Sequence, residues 1–461
     1  MDLNTIIPVT ISVGSPSITR LGFGEPGIFG HVPTTVIAAS AKTKRYSTST
    51  GLVDLVADGF ATTDPVYLAA QAVAAQTPRP PTFKILCGRS TFTHDFDIAP
   101  STFEAGETIE FTLTKGGVSR TYTRTAAGGS LAAEATAIAA LLEADVLGWG
   151  AAGNTVEFVS AGVGDVVQVR AVVPGPGENG LWYVSARTNC TYTDQSADRG
   201  IAAEMTAILA ADADWYMLIP ADAFGAAELA LLATSIQSAT NKTMCAMSQD
   251  AAVIAGTGIG ATLVAADRTR TMMTYSGASL KTYLSAGIAG RFLPETPGSE
   301  AWMYKSISGP IPDALTTSES SLAHADYTNT YEGISVGGVT VVNGNLYKGW
   351  TCGSSETFID QIRLIDALVF EVQSRVLALF RASRKVPYTD KGIGQIKGAV
   401  LAAIRAYQPN GFVTGSEFCE VPKAADISAI DKATRTLPDV VFGATLSGAI
   451  ATVTIAGTLE Y

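Results

Sequence analysis

The sequence is poor in the residues that most site chemistry needs. Its 461 residues hold only three histidines, His31, His94 and His324, and none has a second His or a Cys at ligand spacing. A protein metal centre takes three or four converging ligands, so no metal site is expected, and His94-Asp-Phe-Asp97 reads as a solvated turn. The five cysteines (Cys87, Cys190, Cys245, Cys352, Cys419) are far apart, odd in number and without a CxxC pair. That spacing excludes a disulfide framework and fits reduced, buried thiols. HExxH, GxSxG and Walker A sequences are absent, which leaves the common hydrolase and nucleotide sites without their signatures. No cofactor and no catalytic residue is expected.

Charge is scarce too. Charged residues make up 16% of the chain, against about 25% in an ordinary soluble domain. Surface hidden in an assembly gives such a deficit, and so does a high Gly, Ala and Thr content. The net charge of −11, from 42 acidic and 31 basic residues, opposes coating of nucleic acid by counterion release. The N-terminus lacks a basic n-region, so it is not read as a signal peptide. The uncharged run 440–459 matches a membrane span in length, but Gly443, Ser447, Gly448, Thr452, Thr454 and Thr458 interrupt it. Its period is two, so it reads as strand and no membrane insertion is expected.

Two weak chemical signals remain. Gly256-Thr-Gly-Ile-Gly260 lacks the full GxGxxG spacing and a following Lys, so it reads as a flexible turn. Asp212 and Asp214 could do acid–base work, but the simpler reading is an exposed turn or a cap. An enzyme is therefore not expected, although a site assembled from distant residues stays open.

What the chain does have is a pair of uncharged ends. Ile7, Val9, Ile11 and Val13 alternate at the N-terminus, and Ala451, Val453, Ile455, Leu459 and Tyr461 fall on one strand face at the C-terminus. Period-two patterns rich in β-branched residues are strands. Chain ends are usually polar and frayed, and an unpaired uncharged strand invites aggregation. These ends are expected to pair, either within the molecule's own sheet or with neighbouring copies.

Between them, helical and buried apolar segments alternate. The expected fold class is α/β, a mostly parallel-sheet core carrying an inserted β-rich, ββαββ-like domain and extended N- and C-terminal β-arms. The expected boundaries are an arm over 1–20, core over 21–91, an inserted peripheral α+β domain over 92–198, core over 199–440 and an arm over 441–461. The stretch 294–321 reads as loop. The longest helix is expected over 357–383, roughly 40 Å at 1.5 Å per residue. Its apolar stripe would be Phe358, Ile362, Ile365, Val369, Val372, Val376 and Leu379. A second helix from about Gly392 would bury Ile396, Val400, Ile404 and Tyr407.

Around these helices lies a run of basic residues, Arg375, Arg381, Arg384, Lys385, Lys391, Lys397 and Arg405, opposed only by Asp390. It reads either as a solvated face with favourable cations near a helix C-terminus or as a docking strip for an acidic protein surface.

Several stretches, in order and spacing, resemble the contractile tail sheath proteins of bacteriophages. They are Arg45-Tyr-Ser47, Pro65-Val-Tyr-Leu-Ala-Ala70, Ala75-Gln-Thr-Pro-Arg-Pro80 and Cys87-Gly-Arg89 in the N-terminal part. In the C-terminal third they are Tyr327-Thr-Asn-Thr-Tyr-Glu-Gly333, Gly353-Ser-Ser-Glu-Thr-Phe-Ile-Asp-Gln-Ile362, Lys385-Val-Pro-Tyr-Thr-Asp-Lys-Gly-Ile-Gly394 and Gly448-Ala-Ile-Ala-Thr-Val-Thr-Ile-Ala-Gly457. The likeness covers most of the chain outside about 92–198, where such proteins commonly carry variable insertions.

The resemblance implies a structural subunit of the virion, assembled in the host cytoplasm. Such subunits stack as hexameric rings in a helical polymer around a tail tube, with baseplate and tail terminator proteins as further partners. Contraction drives the tube through the host envelope. By the same resemblance Ile7, Val9, Ile11, Val13, Val453, Ile455 and Leu459 would be inter-subunit strands, and Arg375, Arg381, Arg384 and Lys385 would face the tube. The alternatives are another structural component of a phage tail or phage-derived injection device, or an enzyme on a doubly wound core.

Overall fold

The structure, a computed structural model, describes residues 23–32, 37, 41–88, 95–115, 118–144, 158–171, 182–194, 200–222, 224–239, 241–277, 283–336 and 339–450. The chain divides into two units. The larger holds Gly24–Thr296 and Glu300–Ile362; the smaller holds Arg363 onwards with Phe23 and Pro297–Ser299.

The larger unit opens with β1 (Pro26–His31), β2 (Thr43–Ser47), α1 (Gly51–Ala57), α2 (Pro65–Ala74) and β3 (Thr82–Gly88). There follow β4 (Asp95–Pro100), β5 (Thr108–Lys115), β6 (Val118–Thr125), α3 (Leu131–Ala144), β7 (Phe158–Val163), β8 (Val166–Ala171), β9 (Trp182–Thr188) and β10 (Cys190–Asp194). Next come α4 (Ile201–Ala211), β11 (Met217–Pro220), α5 (Ala226–Ser238), β12 (Thr243–Ser248), α6 (Ala251–Ile254), α7 (Ile259–Ala265) and β13 (Thr271–Tyr275). The unit closes with α8 (Leu284–Phe292), α9 (Thr317–Ala325), β14 (Thr328–Asn329), β15 (Tyr331–Val336) and β16 (Val339–Leu346). Helix α10 (Ile359–Ala382) leads into the smaller unit, which holds α11 (Asp390–Arg405), β17 (Val413–Glu420), α12 (Ala429–Thr434) and β18 (Val441–Leu446).

Among the described residues seven strands form the central sheet, in the order β14-β13-β12-β11-β1-β3-β2. All neighbours are parallel except β2, which runs antiparallel to β3. Parallel strands are covered on both faces and read as continuous apolar runs; every residue of β11 and β13 is buried. On one face Phe29, Leu86, Trp215, Leu218, Met244 and Met273 meet Ile201, Met205, Leu232 and Ile236 of α4 and α5. On the other lie α2 and α8, packed on each other. Gly30 lets Val66 of α2 approach β1 at a distance that a Cβ would deny. The expected mixed α/β fold with a parallel-containing sheet is therefore present.

Residues 95–194 fold around a separate apolar cluster. Sheets β10-β4-β8-β7 and β6-β5-β9 enclose Phe96, Ile98, Phe111, Leu113, Val167 and Val169 with Ile138 and Leu142 of α3. The described residues of this stretch hold seven strands, where a ββαββ pattern has four. The turn expected around Asp97 is strand β4, because Phe96 and Ile98 alternate with Asp95 and Asp97 and enter the core. His94 itself lies outside the described residues.

In the smaller unit α10, α11 and the β17–β18 hairpin bury Leu364, Ala367, Leu368, Val400, Ile404, Tyr407, Val413 and Cys419 together. Two expectations shift here and one in the larger unit. Ile365 and Val369, placed on the apolar stripe of α10, are exposed, while Leu364, Ala367 and Leu368 are buried. The core uses a face offset from the heptad stripe, and Val372 and Val376 join it only partly. Helix α11 begins at Asp390, not Gly392, because Thr389 caps it by accepting from the Gly392 amide. The supposed loop 294–321 ends in α9, opened by a Thr316–Glu319 capping box, the arrangement that satisfies two orphan amides at once.

Candidate assembly site

Four motif residues of the C-terminal third, Asn329, Tyr331, Asp390 and Gly392, lock the fold. Asn329 is fully buried, and its amide is fully used. Nδ2 donates to the carbonyls of Met273 and Trp350, each at 2.9 Å, and Oδ1 accepts from the Gly349 and Trp350 amides at 2.8 and 2.9 Å. The Tyr331 hydroxyl donates to the Ile307 carbonyl and accepts from its amide, both at 3.0 Å. A buried polar group so satisfied fixes one backbone arrangement. In the smaller unit Asp390 accepts from the Ala424 amide at 2.8 Å, and Gly392 is needed because a Cβ there would strike the Pro387 carbonyl.

The two weak chemical signals also have structural partners. Gly256 through Gly260 is no free turn: it ends α6 and opens α7, and the Asp326 carboxylate accepts from the Gly260 and Ala261 amides. Asp212 is the C-cap of α4, one of the two roles expected for the pair, and both carboxylates are engaged. Asp212 accepts from the buried Lys84 at 2.6 Å and from Thr43 at 3.1 Å, and Asp214 pairs with Arg45 at 2.5 Å. Arg45 also grips Glu25 at 2.6 Å through two nitrogens, and Lys42 pairs with the buried Glu204 at 2.8 Å. Among the described residues no group of three His, Cys, Asp or Glu could hold a metal ion. No helix among them is long and apolar enough to cross a membrane.

The basic run thins out once its partners are visible. Arg375 pairs with Glu371 at 2.8 Å and Arg405 with Glu417 at 3.0 Å. Arg381, Arg384, Lys385, Lys391 and Lys397 are exposed and make no ion pair among the described residues. Spacing on the helix could have found the Glu371–Arg375 pair, whereas the Arg405–Glu417 pair needs the β17 strand.

Sequence reading placed a strand in the run 440–459, where β18 lies, but missed β17 and so the hairpin. Strands β17 and β18 form a two-stranded antiparallel sheet, to which no third strand adds among the described residues. The segment 441–461 thus begins with a strand paired inside the molecule. Ile7, Val9, Ile11, Val13, Val453, Ile455 and Leu459 lie outside the described residues. Phe418, Val441, Phe442 and Ile450 on or beside this hairpin are 48, 53, 38 and 83% exposed. With Ile365, Val369, Leu377, Phe380 and Ile430, the smaller unit carries half of the exposed large apolar side chains of the described chain.

The solved structures similar to this chain include the following two. One, titled as the cryo-EM structure of the anti-feeding prophage (AFP) baseplate, is 14% identical, with a TM-score of 0.44 over 57% of this chain and 74% of that one. The other is the crystal structure of the sheath tail protein Lin1278 from Listeria innocua. It is 8% identical, with a TM-score of 0.44 over 92% of this chain and 94% of that one. No family model and no curated protein matches. Likeness at this level assigns no function, which rests on the chain's own residues.

Proposed function

We propose that this chain is a structural subunit of a contractile tail sheath, polymerising as stacked hexameric rings around a tail tube and contracting to drive the tube through a host envelope. The observation that carries the reading is the β17–β18 hairpin. The hairpin buries one side on α10 and α11, but its outer edges gain no third strand among the described residues and are templates for another strand. The uncharged alternating ends of a neighbouring copy supply strands of the required kind. The low charge content and the apolar exposure of the smaller unit fit a surface buried by assembly. The resemblance of the motif stretches to sheath proteins agrees with this.

In this reading Ile7, Val9, Ile11, Val13, Val453, Ile455 and Leu459 are inter-subunit strand residues. Arg381, Arg384 and Lys385, with Arg375, face the tube. Main-chain pairing holds while cores move as rigid bodies. The particle is a virion tail or a phage-derived device, with baseplate and terminator proteins at its ends.

The test is electron microscopy of the purified protein. Full-length protein is expected to form rings or tubes. Removal of residues 1–19, or of 451–461 so that β18 is spared, should leave a folded, soluble protein that does not polymerise. A strictly monomeric full-length protein would sink the proposal.

A further inference from the structure

Helix α10 carries an apolar ridge that the protein's own core leaves uncovered. Ile365, Val369, Leu377 and Phe380 are 43, 37, 48 and 50% exposed. With Gln373 between them, they follow each other at steps of four and three residues and so form one ridge along the helix. From Ile365 to Phe380 it is about 22 Å long. Single exposed apolar side chains are ordinary; an aligned row on one helix marks an interaction surface. The ridge runs directly into Arg381, Arg384 and Lys385, exposed and without an ion pair among the described residues, in a chain of net charge −11.

We propose that the ridge and the three cations are one docking surface, and that its occupant is a protein surface with an apolar groove and an acidic rim at one end. This rests on the reading of the cations as tube-facing and specifies the tube surface they meet. Charge complementarity selects the acidic rim, and the uncovered ridge selects the groove, since the centre of a stable interface is apolar and dry. The two parts act on different steps. Rim charges steer encounter and are screened by salt. A desolvated apolar centre slows dissociation and persists in salt. A nucleic acid would satisfy the cations but offers phosphates where the ridge needs a groove, and its affinity would collapse with salt.

The experiment is binding of the full-length protein, kept too dilute to polymerise, to surface-immobilised tube polymer isolated from the same particle, at about 0.1 and about 0.5 M salt. The proteins compared are the unaltered chain, L377A/F380A and R381E/R384E. Leu377 and Phe380 are exposed, so the first variant is expected to fold and to form rings or tubes as before. It should bind tubes about tenfold more weakly at both salt concentrations, a loss of about 1.4 kcal/mol. The charge-reversed variant should lose binding mainly at low salt.

Unchanged binding by L377A/F380A beside weakened binding by R381E/R384E would overturn the ridge and leave the tube-facing cations standing. Unchanged binding by both would remove the tube-facing reading itself. Loss of self-assembly by L377A/F380A, with tube binding intact, would make the occupant a second copy and overturn the proposal. Tighter binding of duplex DNA than of tubes would overturn it as well.

Discussion

Asp326 caps the first turn of α7: its carboxylate accepts from the Gly260 amide at 3.2 Å and from the Ala261 amide at 2.9 Å. Helix N-termini attract anions because their first amides lack partners, and here the anion is the protein's own. The approach is so close that a Cβ on Gly260 would overlap the Asp326 backbone carbonyl. Gly260→Ala is therefore expected to cost about 3 kcal/mol, from overpacking against backbone that cannot move freely. A urea melt checks it; an unchanged midpoint would contradict the contact.

Lys84 is almost fully buried and ends on Asp212 at 2.6 Å, with Asp214 at 3.8 Å. Burial pushes the Asp212 carboxyl up, but the Lys84 hydrogen bond, the Asp214 amide, the Lys84 charge and Thr43 outweigh it and hold the carboxyl below its ordinary value. A carboxyl depressed in the folded state contributes stability that is present above its unfolded value, about 4. That contribution is lost as pH falls through the folded value. Asp212→Ala should destabilise the protein by about 2 kcal/mol at neutral pH, because Lys84 keeps its charge in a buried place. Acid melts should show this difference shrinking only below about pH 4. A gap that stays constant down to about pH 2 would refute the pairing.

The legibility of the molecule in its sequence follows period and length. The apolar runs at β11, β12 and β13 are continuous and short, so buried strands are the natural reading, and α2 and α5 carry enough regular pattern to be found. Asn329 stood inside a motif, yet its role depends on Met273, Gly349 and Trp350, which no local pattern connects to it. Lys84 and Asp212 lie 128 residues apart, so their pairing is a property of the sheet alone. Strand β17 hid because Thr414, Gly415, Ser416 and Glu417 interrupt its apolar alternation, the first three of them exposed. In the candidate site, the cations were visible as composition, whereas the exposed ridge was not. Residues 365 and 369 look like core to any periodic reading.

His324 stacks on Tyr347 with ring centroids 3.4 Å apart, and its Nε2 lies 2.8 Å from the Thr330 hydroxyl. Burial, with the Lys348 charge nearby, pushes the imidazole down to about 4. Glu332, 3.9 Å away, also accepts from Ser320 and does not offset burial. The folded value lies below the unfolded value of about 6.5, so the unfolded chain takes up the proton first. The stability this group contributes is complete above about pH 6.5 and declines as pH falls towards about 4. That window lies above the one set by Asp212. His324→Phe keeps a ring on Tyr347 and should flatten the melting temperature between pH 6.5 and 4. An NMR titration showing His324 protonated at pH 6 would contradict the burial.

The face on which α10 packs separates two neighbouring leucine-sized side chains. Leu364 is 4% exposed and rests against Gly298, where a Cβ would meet its methyl groups; Ile365, one residue on, is 43% exposed. Leu364→Ala opens a hole in the buried cluster that also holds Val400, Ile404 and Tyr407. It should cost about 2–4 kcal/mol, the transfer term plus the cavity term. Ile365→Ala removes atoms already in water and should cost under about 1 kcal/mol. Chemical denaturation of the two variants decides between this packing and the heptad stripe that the sequence pattern favours. If Ile365→Ala were the more damaging change, α10 would be turned about its axis, and the row from Ile365 to Phe380 would belong to the core instead of to a partner.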